Sequence, residues 1–278
     1  MALNVAAPPL EEVDKNLLKN SCIFLPLGNR VFICRNRNTP VKRIRIISAS
    51  LALFFLQSFS VMNMESKAVD AVAVTSHAAS SESAQLYDEL ELDECGLSLQ
   101  AFQSALTAMH GVWDKLANHN LITIADFSKP SSSKRLYVID LNSRKVLFQS
   151  YVAHGRNSGE EYATSFSDEA SSYQSSLGCY ITGETYTGNN GYSLRLDGEE
   201  TGFNTHARDR AIVMHGAGYV SEEFIRENGR LGRSFGCPAV PTELAQPIIN
   251  TIKGGTCLFI YSPDKNYLSN SPLLKAAM

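Results

Sequence analysis

Leu136-Tyr-Val-Ile-Asp-Leu141, Asn142-Ser143-Arg144, then Lys145-Val-Leu-Phe-Gln-Ser-Tyr-Val152 is the stretch that sets the fold. Apolar and polar positions alternate with period two on both sides of a short polar turn. That is the pattern of two antiparallel strands joined as a hairpin. Further strand-like runs follow at 178–182, 192–196, 211–215 and 256–261. Two short helices are expected between them. One follows Ser221 and is stopped by Gly229. The other follows Thr242 and is stopped by Gly254-Gly255; Pro247 inside it predicts a kink or a late start. The sum is a mostly β domain with peripheral helices.

Upstream of the hairpin the period changes. Leu99, Phe102, Leu106, Met109, Trp113 and Leu116 recur at three- and four-residue spacings, with Ser98 placed as N-cap and Asn118-His119-Asn120 as the stop. This predicts an amphipathic helix. Residues 61–97, rich in Ala, Ser, Val, Asp and Glu, read as a flexible linker. The chemistry-bearing domain is therefore expected over 98–262, with 263–278 as a C-terminal tail.

Residues 1–60 read as a leader. Lys42, Arg43 and Arg45 precede Ile46-Ile-Ser-Ala-Ser-Leu-Ala-Leu-Phe-Phe-Leu56, and Ser58 and Ser60 follow. A basic segment, a short apolar run and small residues match a secretory signal peptide, and the run is short of the roughly 20 residues that span a bilayer. Export to a periplasm or cell envelope follows, with membrane attachment only through an uncleaved leader. The forty residues before Val41 are long for such a leader, so translation is expected to begin at Val41. The charge divides at the same place: eight Lys/Arg against three Asp/Glu in 1–60, and seventeen against twenty-five afterwards. The net charge of −3 over 278 residues carries no basic surplus for a nucleic acid, and 44% apolar residues suffice for a sizeable core.

Two segments carry chemistry. Ala211-Ile-Val-Met-His215-Gly216-Ala217 is a buried-strand pattern that delivers a His to its end. Gly229-Arg-Leu-Gly-Arg-Ser234-Phe235-Gly236-Cys237-Pro238-Ala239-Val240 combines permissive turns, two Arg and a Cys. A nucleophilic thiol needs a base in reach and a cationic setting, which Arg230 and Arg233 are expected to supply. Backbone N–H groups at Gly236 and Cys237 are expected to hold an oxyanion.

These segments resemble the murein L,D-transpeptidase catalytic-domain family, also called YkuD-like. Its signature, His-Gly and then Ser/Thr-x-Gly-Cys, stands here as His215-Gly216 and Ser234-Phe235-Gly236-Cys237. Val152-Ala-His-Gly-Arg-Asn-Ser-Gly159, Gly183-Glu-Thr-Tyr186 and Gly191-Tyr-Ser-Leu-Arg-Leu-Asp-Gly198 extend the likeness. The resemblance implies a β-sandwich-like domain and a cysteine acyltransferase acting on peptidoglycan stem peptides through a Cys237 thioester. It implies His215 as base, Gly216, Ser234 and Gly236 in support, and no metal or other cofactor. Many members have His where Phe235 stands, and Arg or Asn where Ala239 stands. That leaves open an L,D-carboxypeptidase or endopeptidase that uses water, and an inactive wall-binding module.

His154, Arg230, Arg233 and Tyr186 are the substrate-binding candidates. His154 ends a strand before Gly155 as His215 does before Gly216, and Tyr186 sits in a strand with groove-lining potential. No His-Glu-x-x-His or Cys-x-x-Cys spacing supports a metal centre built from His154, His206, His215 and Asp209. Cys179 and Cys257, in apolar strand-like runs, are expected to be core thiols, and Cys95 to be unpaired or disordered.

Overall fold

The structure is a computed structural model that describes residues 81–276. The leader, the proposed start at Val41 and the first part of the expected linker lie outside the described residues. Among the described residues no helix is long and apolar enough to cross a membrane.

Eight strands form one mixed sheet: β1 (Leu121–Asp126), β2 (Leu136–Asp140), β3 (Lys145–Ser150), β4 (Gly178–Gly188), β5 (Gly191–Gly198), β6 (Val213–Gly216), β7 (Ala239–Val240) and β8 (Cys257–Tyr261). Their order is β3-β2-β1-β8-β4-β5-β6-β7. The β1–β8 and β6–β7 pairs are parallel and the others antiparallel. Register breaks between Val138 and Ile139 and between Thr182 and Thr185 interrupt the ladders, as bulges do where a sheet bends. The mostly β, sandwich-like architecture expected above is what the chain adopts. The expected hairpin is β2–β3. The central strand β1 was not expected, because Leu121-Ile-Thr-Ile-Ala-Asp126 is buried on both faces and shows almost no alternation.

Helix α1 runs through 81–89, and α2 spans Leu99–Gly111. Ser98 caps α2, its Oγ accepting from the Ala101 N–H at 3.2 Å. α2 lies against β1, β8 and β4. Its buried face is Ala101, Phe102, Ala105, Ala108 and Met109, whereas Leu99 and Trp113 are 39% and 43% exposed. The face is thus rotated from the one expected: three alanines let the helix approach the sheet more closely than a stripe of Leu and Trp would. The helix also ends earlier, at Gly111, and a short 3-10 turn covers Trp113–Lys115.

Two expected boundaries are corrected. Residues 81–97 are part of the fold rather than linker: Tyr87, Leu90, Leu92 and Leu97 are buried in the main core while the acidic side chains between them face outward. Cys95 is half-buried against that core. The segment after 262 is likewise not a loose tail. It forms α5 (Lys265–Asn270) and α6 (Pro272–Lys275), which follow α3 (Glu222–Asn228) and α4 (Thr242–Ile252) in the chain. Pro247 sits within α4 on its exposed side without delaying the start.

A buried carboxylate docks that C-terminal segment. Glu200 accepts from the Cys179 N–H at 2.7 Å, the Tyr267 hydroxyl at 2.9 Å and the Ser271 hydroxyl. Asn204 backs it, accepting from the Glu200 N–H and donating to the carbonyls of Leu177 and Cys179. Burial raises the Glu200 carboxyl above its ordinary pKa, and the three donors oppose that shift. Glu200→Ala leaves three buried donors unpaired, so we expect a loss of about 3 kcal/mol in urea unfolding. A loss below about 0.5 kcal/mol would mean that these contacts do not hold the C-terminal helices.

Candidate active site

The site begins with the order of strands at one edge of the sheet. β5 pairs with β6, setting Ser193 opposite His215. β7 pairs with β6 in parallel, setting Ala239 opposite His215 and Val240 opposite Gly216. Cys237 lies two residues before Ala239, so this register sets the thiol beside Val213 at the start of β6, two residues before His215. Both line one open cleft of about 490 Å3.

His215 is 5% exposed. Its Nδ1 lies 3.0 Å from the Gly216 carbonyl oxygen. A carbonyl oxygen only accepts, so Nδ1 carries the proton and Nε2 is left as the basic nitrogen. Gly216 fits beneath α4: a Cβ there would come 3.0 Å from Ala245 Cβ and 3.1 Å from Thr242 Cα.

The loop before β7 is tied internally. The Ser234 hydroxyl donates to the Cys237 carbonyl at 2.6 Å and accepts from the Gly236 N–H at 3.0 Å. Gly236 has φ +123°, and a Cβ would meet the Gln174 carbonyl oxygen at 2.7 Å, so only glycine passes here. The Cys237 Sγ receives the Val213 N–H at 3.5 Å and lies 3.7 Å from the Ala211 carbonyl oxygen. Burial pushes the Cys237 thiol pKa up; the Val213 N–H, the Arg210 guanidinium and the residue's own N–H pull it back.

Arg210 is the residue that the sequence reading missed. Its side chain is 4% exposed. It donates to the carbonyls of Ser167 and Gln174, both at 2.8 Å, and to the hydroxyls of Ser172 at 3.2 Å and Ser176; the Asp168 carboxylate stands 3.6 Å away. It therefore holds the 167–176 loop behind Gly236 and puts a cation near the sulfur. The signal was present as an Arg just before the apolar run of β6. Asn189, Asn190 and Tyr219 also line the cleft. Nothing in a Gly-Asn-Asn-Gly turn reports which cleft it overhangs.

Of the substrate-binding candidates, only Arg233 lines the cleft with His215, Gly216, Ser234 and Cys237. Arg230 sits behind it and shares its partner Glu160. Neither stands among the charges that lower the thiol pKa; Arg210 takes that part. Tyr186 packs its ring under the Arg195 guanidinium, 4.5 Å away, on β4 and outside the cleft lining. Of the two amides expected to bind an oxyanion, the Gly236 N–H is engaged by the Ser234 hydroxyl and the Cys237 N–H lies against its own sulfur.

His154 is corrected most fully. It is fully buried, its Nδ1 accepts from Arg135 Nη2 at 2.8 Å, and its Nε2–H donates to the Gly159 carbonyl at 3.2 Å. Arg135, also fully buried, stacks 4.6 Å from the Phe127 ring and donates to the Val152 and Lys129 carbonyls. His154 thus braces the backbone instead of facing substrate. Its flanks serve the site: the Ser234 N–H donates to the His154 carbonyl at 2.9 Å, and the Arg156 N–H to the Ser234 carbonyl at 2.8 Å.

Burial and the adjacent Arg135 lower the His154 pKa to about 4. The unfolded chain takes up this proton at a higher pH than the folded one, so the stabilisation is complete above about pH 6.5 and is lost as pH falls toward 4. We expect about 3 kcal/mol of unfolding free energy to disappear over that window, and His154→Gln to flatten the dependence. An unchanged slope in the variant would place the acid lability elsewhere. For Arg210→Met we expect iodoacetamide to alkylate Cys237 about tenfold more slowly at pH 7.5, read by peptide mass mapping. An unchanged rate would remove Arg210 from the electrostatics of the thiol.

A family model described as the L,D-transpeptidase catalytic domain matches residues 93–261. No curated protein matches the chain. Similar solved structures include an L,D-transpeptidase from Mycobacterium smegmatis, at 11% identity and TM-score 0.33, covering 51% of this chain and 59% of that one. L,D-transpeptidase 1 of Mycobacterium tuberculosis is 13% identical with TM-score 0.29, covering 51% and 62%. An L,D-transpeptidase from Xylanimonas cellulosilytica is 14% identical with TM-score 0.30, covering 51% and 60%. The chain thus spans about six-tenths of the length of these proteins. With the family match extending from Asp93 to Tyr261, across the whole sheet and both halves of the Cys–His cleft, this chain belongs to the L,D-transpeptidase catalytic-domain family.

Proposed function

We propose that this chain is an exported cysteine acyltransferase that cross-links peptidoglycan stem peptides as an L,D-transpeptidase. One observation carries the reading: Cys237 and His215 line the same cleft, with the His215 ring held in the tautomer that leaves Nε2 basic. The basic and apolar leader at 42–56 supports delivery to the periplasm or cell envelope.

The mechanism follows from the resting state of the pair. Burial favours the neutral thiol, so Sγ gives up its proton as it attacks the stem carbonyl. His215 Nε2 takes that proton. The Cys237 N–H faces the growing negative charge on the carbonyl oxygen. The C–N bond then breaks, His215 returns the proton to the departing amine, and the acyl group remains on sulfur as a thioester. The amine of a second stem attacks that thioester and loses its proton to His215; the C–S bond breaks, His215 returns the proton to the Cys237 sulfur, and the cross-linked product leaves, whereas water in the same place would give hydrolysis.

Incubating the full chain with muropeptide tetramers is expected to yield dimers by mass, with a transient acyl adduct on Cys237. Cys237→Ser is expected to lose at least a hundredfold in turnover, because a hydroxyl is a far weaker nucleophile at neutral pH. Shortened stems without dimers would make the enzyme a hydrolase. An unmodified Cys237, under both muropeptide and a carbapenem, would leave the wall-binding module.

A further inference from the structure

Two cysteines outside the cleft meet in the main core, on the central pair of the eight-strand order. Cys179 lies on β4 and Cys257 begins β8, and both are fully buried. The two strands pair antiparallel, with Cys179 opposite Phe259 and Ile181 opposite Cys257. The cysteines are therefore diagonal neighbours, offset by two residues, and their side chains leave the same face of the sheet. Their sulfur atoms stand 3.6 Å apart although the residues are 78 positions apart in the chain. A disulfide has a sulfur separation of about 2.05 Å, so each sulfur has to move by less than about 1 Å to form one.

The backbone around the pair is held firmly. The Cys179 N–H donates to Glu200 at 2.7 Å, and its carbonyl accepts from Asn204 Nδ2 at 2.9 Å and from the Glu199 N–H at 3.0 Å. Cys237 is kept apart from both thiols. Its sulfur rests on Val213 of β6, and β5 lies between β6 and β4. Two strand spacings, about 10 Å, thus separate it from the strand of Cys179. The two buried thiols are each other's partner, and the cleft thiol is left out of the exchange.

We infer that Cys179 and Cys257 form a disulfide that fastens β4 to β8 when the chain matures in an oxidising compartment, the oxidant being a disulfide-bearing small molecule or oxidoreductase. The inference rests on the reading of 42–56 as an export leader, since a reducing cytosol keeps both residues as thiols. One thiolate attacks a sulfur of the oxidant's disulfide and expels its first thiol, giving a mixed disulfide. The second thiolate attacks the protein sulfur of that mixed disulfide, closes the Cys179–Cys257 bond and expels the other thiol. Two electrons and two protons pass to the oxidant. The closed sheet does not supply the thiolate: the hydrogen bond with Cys257 and burial hold the Cys179 pKa well above its ordinary value. The bond therefore forms before β4 and β8 shut out solvent, and the finished fold then shields it from reductants.

The test uses the full chain, unfolded in urea and refolded in reduced and oxidised glutathione. Remaining thiols are blocked with iodoacetamide in denaturant, and tryptic peptides are mapped by mass. We expect peptides 157–195 and 254–265 to appear as one species, two hydrogens lighter than their sum, with Cys237 carrying the alkyl group. The same chain refolded in a reducing buffer should melt about 10 °C lower. Cys257→Ala, or Cys179→Ala if the former fails to fold, should melt at one temperature in both buffers, which ties the shift to this pair. Alkylation of both Cys179 and Cys257 after oxidative refolding, a link from either to Cys237, or equal melting of the oxidised and reduced chains would overturn the inference. A bridge that forms on refolding while the chain recovered from its own cells carries both residues as thiols would instead overturn the export reading and leave the pairing standing.

Discussion

The two-residue parallel pairing of β7 with β6 is the constraint on which the site depends. It sets Ala239 against His215 and Val240 against Gly216, and so brings a thiol and an imidazole more than twenty residues apart to one cleft. A pairing this short cannot persist by its own hydrogen bonds. It is splinted from the other side by the chain after β3. Ala153 bridges to Ala239, and Gly155 to Ser234. Ala153, Ala217, Val220, Leu231 and Ala239 form a small second core beneath this junction, separate from the main one. The Cys237 loop therefore rests on its own apolar floor, with the Arg135–His154 pair behind it.

The electrostatics divide the same way. Behind the loop, Arg210 is almost fully enclosed and satisfied by the 167–176 segment, so its charge is fixed in place and acts on the sulfur. In front, Arg230, Arg233 and Arg156 are partly open and face solvent along with Glu160. Arg210 acts on the sulfur, whereas Arg230 and Arg233 are paired with Glu160. Burial still dominates at Cys237, whose pKa stays above the ordinary value. That favours the neutral thiol in the folded chain.

Local pattern settled a good part of this protein. The β2–β3 hairpin, the strands β4 to β6 and β8, the Ser98 cap of α2, and the stop of α3 at Gly229 follow from alternation, capping chemistry and the need for a positive φ, all short-range physics. The His-Gly and Ser-x-Gly-Cys segments were legible because a glycine beside a reactive side chain has few other uses, and the structure sets Cys237, His215, Gly216, Ser234 and Gly236 around one cleft and its loop. What stayed hidden depended on partners distant in the chain. β1 hid because a strand buried on both faces loses its alternation. The face of α2 turned toward its alanines because the sheet, not the helix, sets the allowed approach.

The sequence by itself determined the β2–β3 hairpin, the strands β4 to β6 and β8, the helices α2 to α4 and the His-Gly and Ser-x-Gly-Cys segments as candidates, because those follow from side-chain chemistry and neighbours a few positions apart. Only the tertiary structure decided the duties of the charged residues: Arg210 behind the thiol, Arg233 on the cleft wall, and His154, buried against Arg135, as a brace. A guanidinium or imidazole acts according to what surrounds it, and those surroundings are assembled from loops that meet only when the sheet closes.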